Sequence, residues 1–112
     1  MTWEIGYYLT PGGQDVIEHF IDSLQTSTQT KLGRQLDLLE ENGNHLGMPH
    51  ARHMGGGLLE LRVRGSQEVR VFYTFTSIRQ VYLLHGFVKK SQATPTQDIN
   101  IARRRKLEVD RL

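Results

Sequence analysis

GGGLLELRVRGSQEVRVFYTFTSIRQVYLLHGFVKK, residues 55–90, decides the fold. Three runs in it have strand character: Leu58–Arg64, Glu68–Phe75 and Arg79–Phe87. Gly65-Ser66-Gln67 and Thr76-Ser77-Ile78 separate them. Runs rich in Val, Tyr, Phe and Leu, broken by short polar or glycine-containing links, predict an antiparallel meander. In the first run Glu60, Arg62 and Arg64 share one parity, and Leu59, Leu61 and Val63 the other. Side chains alternate across a strand, so one face is apolar and the other carries two guanidinium groups and a carboxylate. In the second run Arg70 falls with Phe72 and Thr74, opposite Val69, Val71, Tyr73 and Phe75. The third run reaches His85 and is followed by Lys89-Lys90. Cations on the open face of a sheet suit a phosphodiester better than a core.

Upstream, Trp3 to Tyr8 is a short aromatic run with strand propensity, broken by Thr10-Pro11-Gly12-Gly13. A helix follows over about Gln14–Leu24, with Val16, Ile17, Phe20, Ile21 and Leu24 on one stripe. A second spans about Ser27–Glu41, with Leu32, Leu36 and Leu39 recurring and Gly43 where a left-handed C-terminal residue belongs. The two should form an antiparallel hairpin on the apolar face of the sheet. Asn44 to Met54 reads as a mobile basic loop holding His45, His50 and His53. His50 and His53 lack a third ligand at metal spacing, so no metal is expected. The Gly55-Gly56-Gly57 run permits close backbone approach, but without a following Lys-Ser/Thr it is not a P-loop. Downstream, Thr94, Pro95 and Gln97 form a helix-start signature for a helix over about Pro95–Val109. The expected fold is α+β: a single domain over residues 1–112, ordered β-α-α-β-β-β-α, with a four-stranded antiparallel sheet of mixed edge.

The chain's 112 residues fit one small domain. It has no cysteine, which excludes disulfides and thiolate metal sites and fits a reducing cytoplasm. The opening MTWEIGYYLT lacks the basic-then-apolar pattern of a signal peptide, and no apolar run suits a membrane span. The net charge of +2 is unevenly distributed. Residues 1–50 hold seven acids and two bases, a net of −5; residues 51–112 hold twelve bases and five acids, a net of +7. A basic half on a near-neutral chain points to nucleic acid.

Were the phosphodiester an RNA cut by attack of its 2′-OH, charge would build on the equatorial phosphate oxygens, and fixed cations would stabilise it. Arg62 and Arg70 suit that role, because planar guanidinium donors match phosphate. His53 and His85 have intrinsic pKa values suited to proton transfer, and Lys89 or Lys90 would serve if a crowded cationic face lowered theirs. His85 shares the parity of Val81 and Leu83, so a core position and a site role both stay open. Arg52, Arg64 and the block Arg103-Arg104-Arg105 would hold RNA backbone, and Phe72 beside Arg70 would stack a base. The chemistry needs no cofactor.

The residues GGGLLELRVRG, VRVFYTF, VYLLHGFVKKSQATP and DINIARRR, in this element order, resemble the HigB-like branch of the RelE/ParE toxin superfamily. Leu59-Glu60-Leu61-Arg62, Arg70 with Phe72-Tyr73, Leu84-His85-Gly86-Phe87 and Lys89-Lys90 carry the likeness. It implies a RelE-like fold and the toxin of a type II toxin–antitoxin module. It also implies a ribosome-dependent endoribonuclease (mRNA interferase), acting on mRNA at the ribosomal A site. The implied partner is a helix-turn-helix antitoxin of the Xre/HigA kind. Of the residue types relatives use, Arg62, Arg70, Lys89 and Lys90 match, and His53 stands where relatives often have lysine. Two alternatives remain: a ParE-type poison of DNA gyrase, or a non-catalytic phage-derived nucleic-acid-binding module.

Overall fold

The computed structural model describes residues 2–93 and 95–112. The elements run β1 (Glu4–Tyr7), α1 (Val16–Asp22), α2 (Thr26–Asn42), β2 (Ala51–Gly55), β3 (Leu58–Val63), β4 (Val69–Ser77), β5 (Gln80–Val88) and α3 (Thr96–Val109). Among the described residues the strands form one five-stranded sheet in the order β1-β5-β4-β3-β2. The meander of β3, β4 and β5 is antiparallel as expected, and β1 closes one edge parallel to β5.

The four-stranded expectation fails at β2. The sequence of Ala51–Gly55 does not alternate in hydropathy and so gives no strand signal, and in the sheet only Ala51 is fully buried. An edge strand needs only one buried contact and a free ladder to pair with, so its pattern is weak. Gly55, Gly56 and Gly57 all take positive φ (91°, 63° and 82°) and turn β2 tightly into β3. Of the expected loop, Asn44 and His45 end a 3-10 turn (Gly43–His45), residues 46–50 lie outside helix and strand, and Ala51 onward is strand.

One face of the sheet carries Leu59, Leu61, Val63, Val71 and Leu83, all buried, with α1 over β5 and α2 over β3. Asp15 caps α1 by accepting from the Glu18 amide at 2.9 Å. The start of α2 is tied to the β3–β4 turn: the Gln25 amide donates to Gln67 Oε1 at 3.0 Å, and Ser66 Oγ donates to Gln25 Oε1 at 3.1 Å. At its end Gly43 has φ 53°, and a Cβ there would lie 2.0 Å from the Trp3 indole. The opposite face is only partly covered. α3 packs on β5, β4 and β3, with Ala102 fully buried against them. The Thr94 cap lies outside the described residues; Pro95 stands at the N-cap position, and its carbonyl accepts from the Asp98 amide at 3.1 Å.

Candidate functional site

Arg62 of β3 pairs directly with Arg70 of β4. The Arg62 amide donates to the His50 carbonyl (2.8 Å), and the Lys89 amide donates to the Glu68 carbonyl (2.6 Å). Backbone groups alternate in direction along a strand, so these two bonds make Arg62–Arg70 a non-hydrogen-bonded pair. Such pairs hold their Cα atoms about 4.5 Å apart and bring side chains closest. Like charges in that relation repel. Two guanidinium groups thus start from adjacent positions on the half of the face that α3 leaves open. With Arg64, Glu68, Lys89, Lys90, Ser91 and Gln92 they line an open cleft of about 480 Å³.

The two arginines are held differently. Arg70 is only 2% exposed. Its Nη2 lies 3.1 Å from Glu68 Oε2, its Nη1 donates to the Val69 carbonyl at 3.2 Å, and its Nε sits 3.6 Å from Glu60 Oε1. Glu60, also 2% exposed, lies 3.8 Å from Arg52 Nε as well. Arg62 makes no ion pair among the described residues. Its Nη1 reaches Met48 Sδ at 3.6 Å, and its Nε is buried with no hydrogen-bond partner. Burial, then the guanidiniums of Arg70 and Arg64, hold its pKa below the ordinary arginine value. An arginine so placed is ready to accept an anion in exchange for water. Lys89 Nζ donates to the Gln92 carbonyl at 2.8 Å, which folds the segment after β5 over one wall, and Lys90 is exposed beside it.

The histidines separate. His53 pairs with Leu59, on the face opposite Arg62, and is exposed there, so the structure does not bring it to the cleft. His85 moves the other way. A register shift between Phe72 and Tyr73 pairs Phe72 with His85 but Tyr73 with Leu83. The extra residue, Leu84, reverses parity, and His85 faces the side of Arg70 rather than of Leu83. It is half-buried and stacks on Phe87 (centroids 6.2 Å apart). Its Nε2 lies 2.6 Å from Asp98 Oδ1 at the start of α3. Burial pushes its pKa down despite that carboxylate. Phe87 pairs with Arg70, so His85 stands one row behind the cleft rather than lining it.

Phe72 cannot stack a base. It is fully buried, its ring 5.7 Å from that of Phe87, because α3 covers this row of the face. The arginine block of α3 is also largely committed internally. Arg103 donates to the Gly55 and Met54 carbonyls at 3.2 and 3.0 Å. Arg105 donates to the Leu84 carbonyl at 2.9 Å and lies over the Tyr8 ring at 4.8 Å. Arg104 is the exposed one of the three. Arg52 and Arg64 are exposed, and Arg64 lines the cleft as expected.

Sequence reasoning missed Glu68, His50, Lys31 and Arg34. Glu68 holds Arg70 together with Glu60, which the sequence already places on this face, and parity with Arg70 was the signal for Glu68. His50, not His53, adjoins Arg62: it lines a neighbouring cleft with Arg62 and Arg64. Lys31 and Arg34 of α2 line that cleft too, and their setting in the acidic half concealed them.

Among the described residues no group of three His, Asp or Glu side chains stands close enough to share a metal ion, and no helix is long and apolar enough to cross a membrane. A search of the curated proteins finds no match. A family model described as phage-derived protein Gp49-like (DUF891) matches residues 19–107, from α1 through most of α3 and including every residue that lines the cationic cleft. The chain therefore belongs to the Gp49-like family of phage-derived proteins, a RelE-like toxin family.

Proposed function

We propose that this chain is the toxin of a type II toxin–antitoxin module of the HigB-like kind, an endoribonuclease that cuts mRNA under translation in the cytoplasm. The observation that carries this reading is the facing pair Arg62 and Arg70 at an open cleft also lined by Lys89 and Lys90. In the reaction the 2′-oxygen bonds to phosphorus and the bond from phosphorus to the 5′-oxygen breaks. The proton of the 2′-OH passes to a base, and a proton passes to the leaving oxygen. Arg62 meets the equatorial oxygens, with Arg70 fixed behind it by Glu60 and Glu68. One oriented donor of this kind changes kcat by about 10²–10³-fold. We assign the proton transfers to His50, which borders the neighbouring cleft beside Arg62, and to Lys90, exposed at the cleft. His85, held by Asp98, acts behind them. A helix-turn-helix antitoxin would restrain the activity by covering the cleft.

The test is brief induction in bacteria followed by mapping of RNA 5′ ends. New ends within translated messages, lost in Arg62→Met at equal protein level, are expected. Intact messages with double-strand breaks in DNA would move the target to gyrase, and intact RNA and DNA would leave a binding module.

A further inference from the structure

A second cleft, of about 270 Å³, adjoins the first and shares Arg62 and Arg64 as its wall. Lys31, Arg34 and Gln35 of α2 and His50 line its other side. It exists because β2 begins late. The bond from the Arg62 amide to His50 lies just ahead of Ala51, where β2 starts, and past it the edge of β3 is uncovered beside α2. Gly65 shapes it as well. A Cβ at Gly65 would lie 2.6 Å from Lys31 Nζ, so the bare backbone of the β3–β4 turn lets that ammonium close over the end of β3.

The cations of this cleft lack close carboxylate partners. Among the described residues none of Lys31, Arg34, Arg62 and Arg64 forms an ion pair, whereas Arg52, Arg70 and Lys106 each have a carboxylate within 4 Å. Lys31 and Arg34 are the only bases in residues 1–50, a segment with seven acids, and both face the same strand of arginines. A solvated helix face would leave such cations free to pair with the acids of their own helix; these stand at i and i+3, a spacing at which like charges repel. Among the described residues the Arg62 Nε that borders the cleft is a buried donor without a hydrogen-bond partner. Cations gathered against their own repulsion, with an unmet donor beside them, mark a site that an anion completes.

We infer that this cleft is a second phosphate subsite. On the reading above, it takes the phosphodiester next to the one held at Arg62 and Arg70, on the same RNA strand. Arg62 and Arg64 are two residues apart, about 6.6 Å at the rise of a strand, so successive phosphates can meet successive guanidiniums. Among the described residues no aromatic ring but that of His50 lines either cleft, so the track grips ribose-phosphate backbone and leaves the bases unread. The ligand is a single strand with at least two consecutive phosphates.

The probes are 2′-O-methyl oligouridylates, which resist cleavage: a dinucleotide with one phosphodiester and a trinucleotide with two. Each is titrated at several salt concentrations into the parent, Lys31→Gln/Arg34→Gln and Arg62→Met, all checked for folding by circular dichroism. The parent should bind the trinucleotide more tightly, with a salt slope steeper by about 0.7 for the added phosphate. Lys31→Gln/Arg34→Gln should lose that increment and keep the parent's affinity for the dinucleotide. Arg62→Met should weaken both. If the double variant retains the increment, the subsite is refuted, while the first cleft stands as long as Arg62→Met weakens the dinucleotide. If Arg62→Met binds the dinucleotide like the parent, the first-cleft reading itself fails. A double variant that loses only ribosome co-sedimentation would assign Lys31 and Arg34 to ribosomal RNA and overturn the shared-strand proposal.

Discussion

Arg62→Met should make the protein more stable and harmless at once. Arg62 faces Arg70 with no carboxylate of its own, its Nε is buried without a partner, and burial with like charge holds its pKa down. Like charges directly opposite across strands cost about 0.2–1 kcal/mol. A buried, unsatisfied donor adds a cost of about 1–3 kcal/mol. Methionine keeps much of the aliphatic stem and its packing against Met48 while removing both penalties. Part of the gain is lost to poorer filling of the site, which leaves a net of about 1 kcal/mol. For a domain of this size that raises the melting temperature by about 4 °C. Growth arrest should vanish, since the donor facing the developing charge is gone. Thermal melts by circular dichroism and colony counts after induction measure the two effects. A variant that melts several degrees lower, or that arrests growth like the parent, would refute the claim that this arginine is kept at the expense of stability for an anion.

Two further outcomes follow from other parts of the fold. Burial holds the folded His85 pKa below its ordinary value of about 6.5, so the folded state prefers the neutral ring. The stability this contributes is present above that value and is lost as pH falls through the folded pKa. The parent should therefore lose melting temperature between pH 7 and pH 5 more steeply than His85→Gln, whose amide can still donate to Asp98; parallel curves would contradict this. Gly43→Ala should destabilise by about 1–3 kcal/mol, because φ 53° is strained and the new methyl meets the Trp3 ring. Displacing Trp3 from Phe75, now 5.0 Å away, should also shift its fluorescence, and an unchanged spectrum would count against the contact.

The meander and the helices were legible because their patterns are driven by burial: alternation in β3 and β4, and apolar stripes in α1 and α2. What was not legible depends on neighbours distant in sequence. Ala51–Gly55 is a strand because β3 offers a ladder, not because its own residues alternate. Parity correctly joined Arg62 to Arg70 and Phe72, but it could not tell which rows α3 covers. The row of Glu60, Phe72 and His85 lies toward α3, and the row of Arg62, Arg70 and Phe87 borders the cleft. A single bulge reversed His85, and counting residues from Val81 cannot reveal an insertion whose cause is packing. Lys31 and Arg34 were overlooked because charge was summed along the chain, while the sheet collects it in space.

The pairing of β1 with β5 has a temporal meaning. Glu4 aligns with Gln80, so the first strand waits for a partner 76 residues later. Closing so long a loop is entropically costly and slow compared with local contacts. While the chain is being synthesised, the sheet stays incomplete until β5 has left the exit tunnel, and α3, which shields the row of Phe72 and His85, arrives later still. A ribosome making this polypeptide, which on our reading is also its target, must have produced β5 and α3 before that copy could act on it.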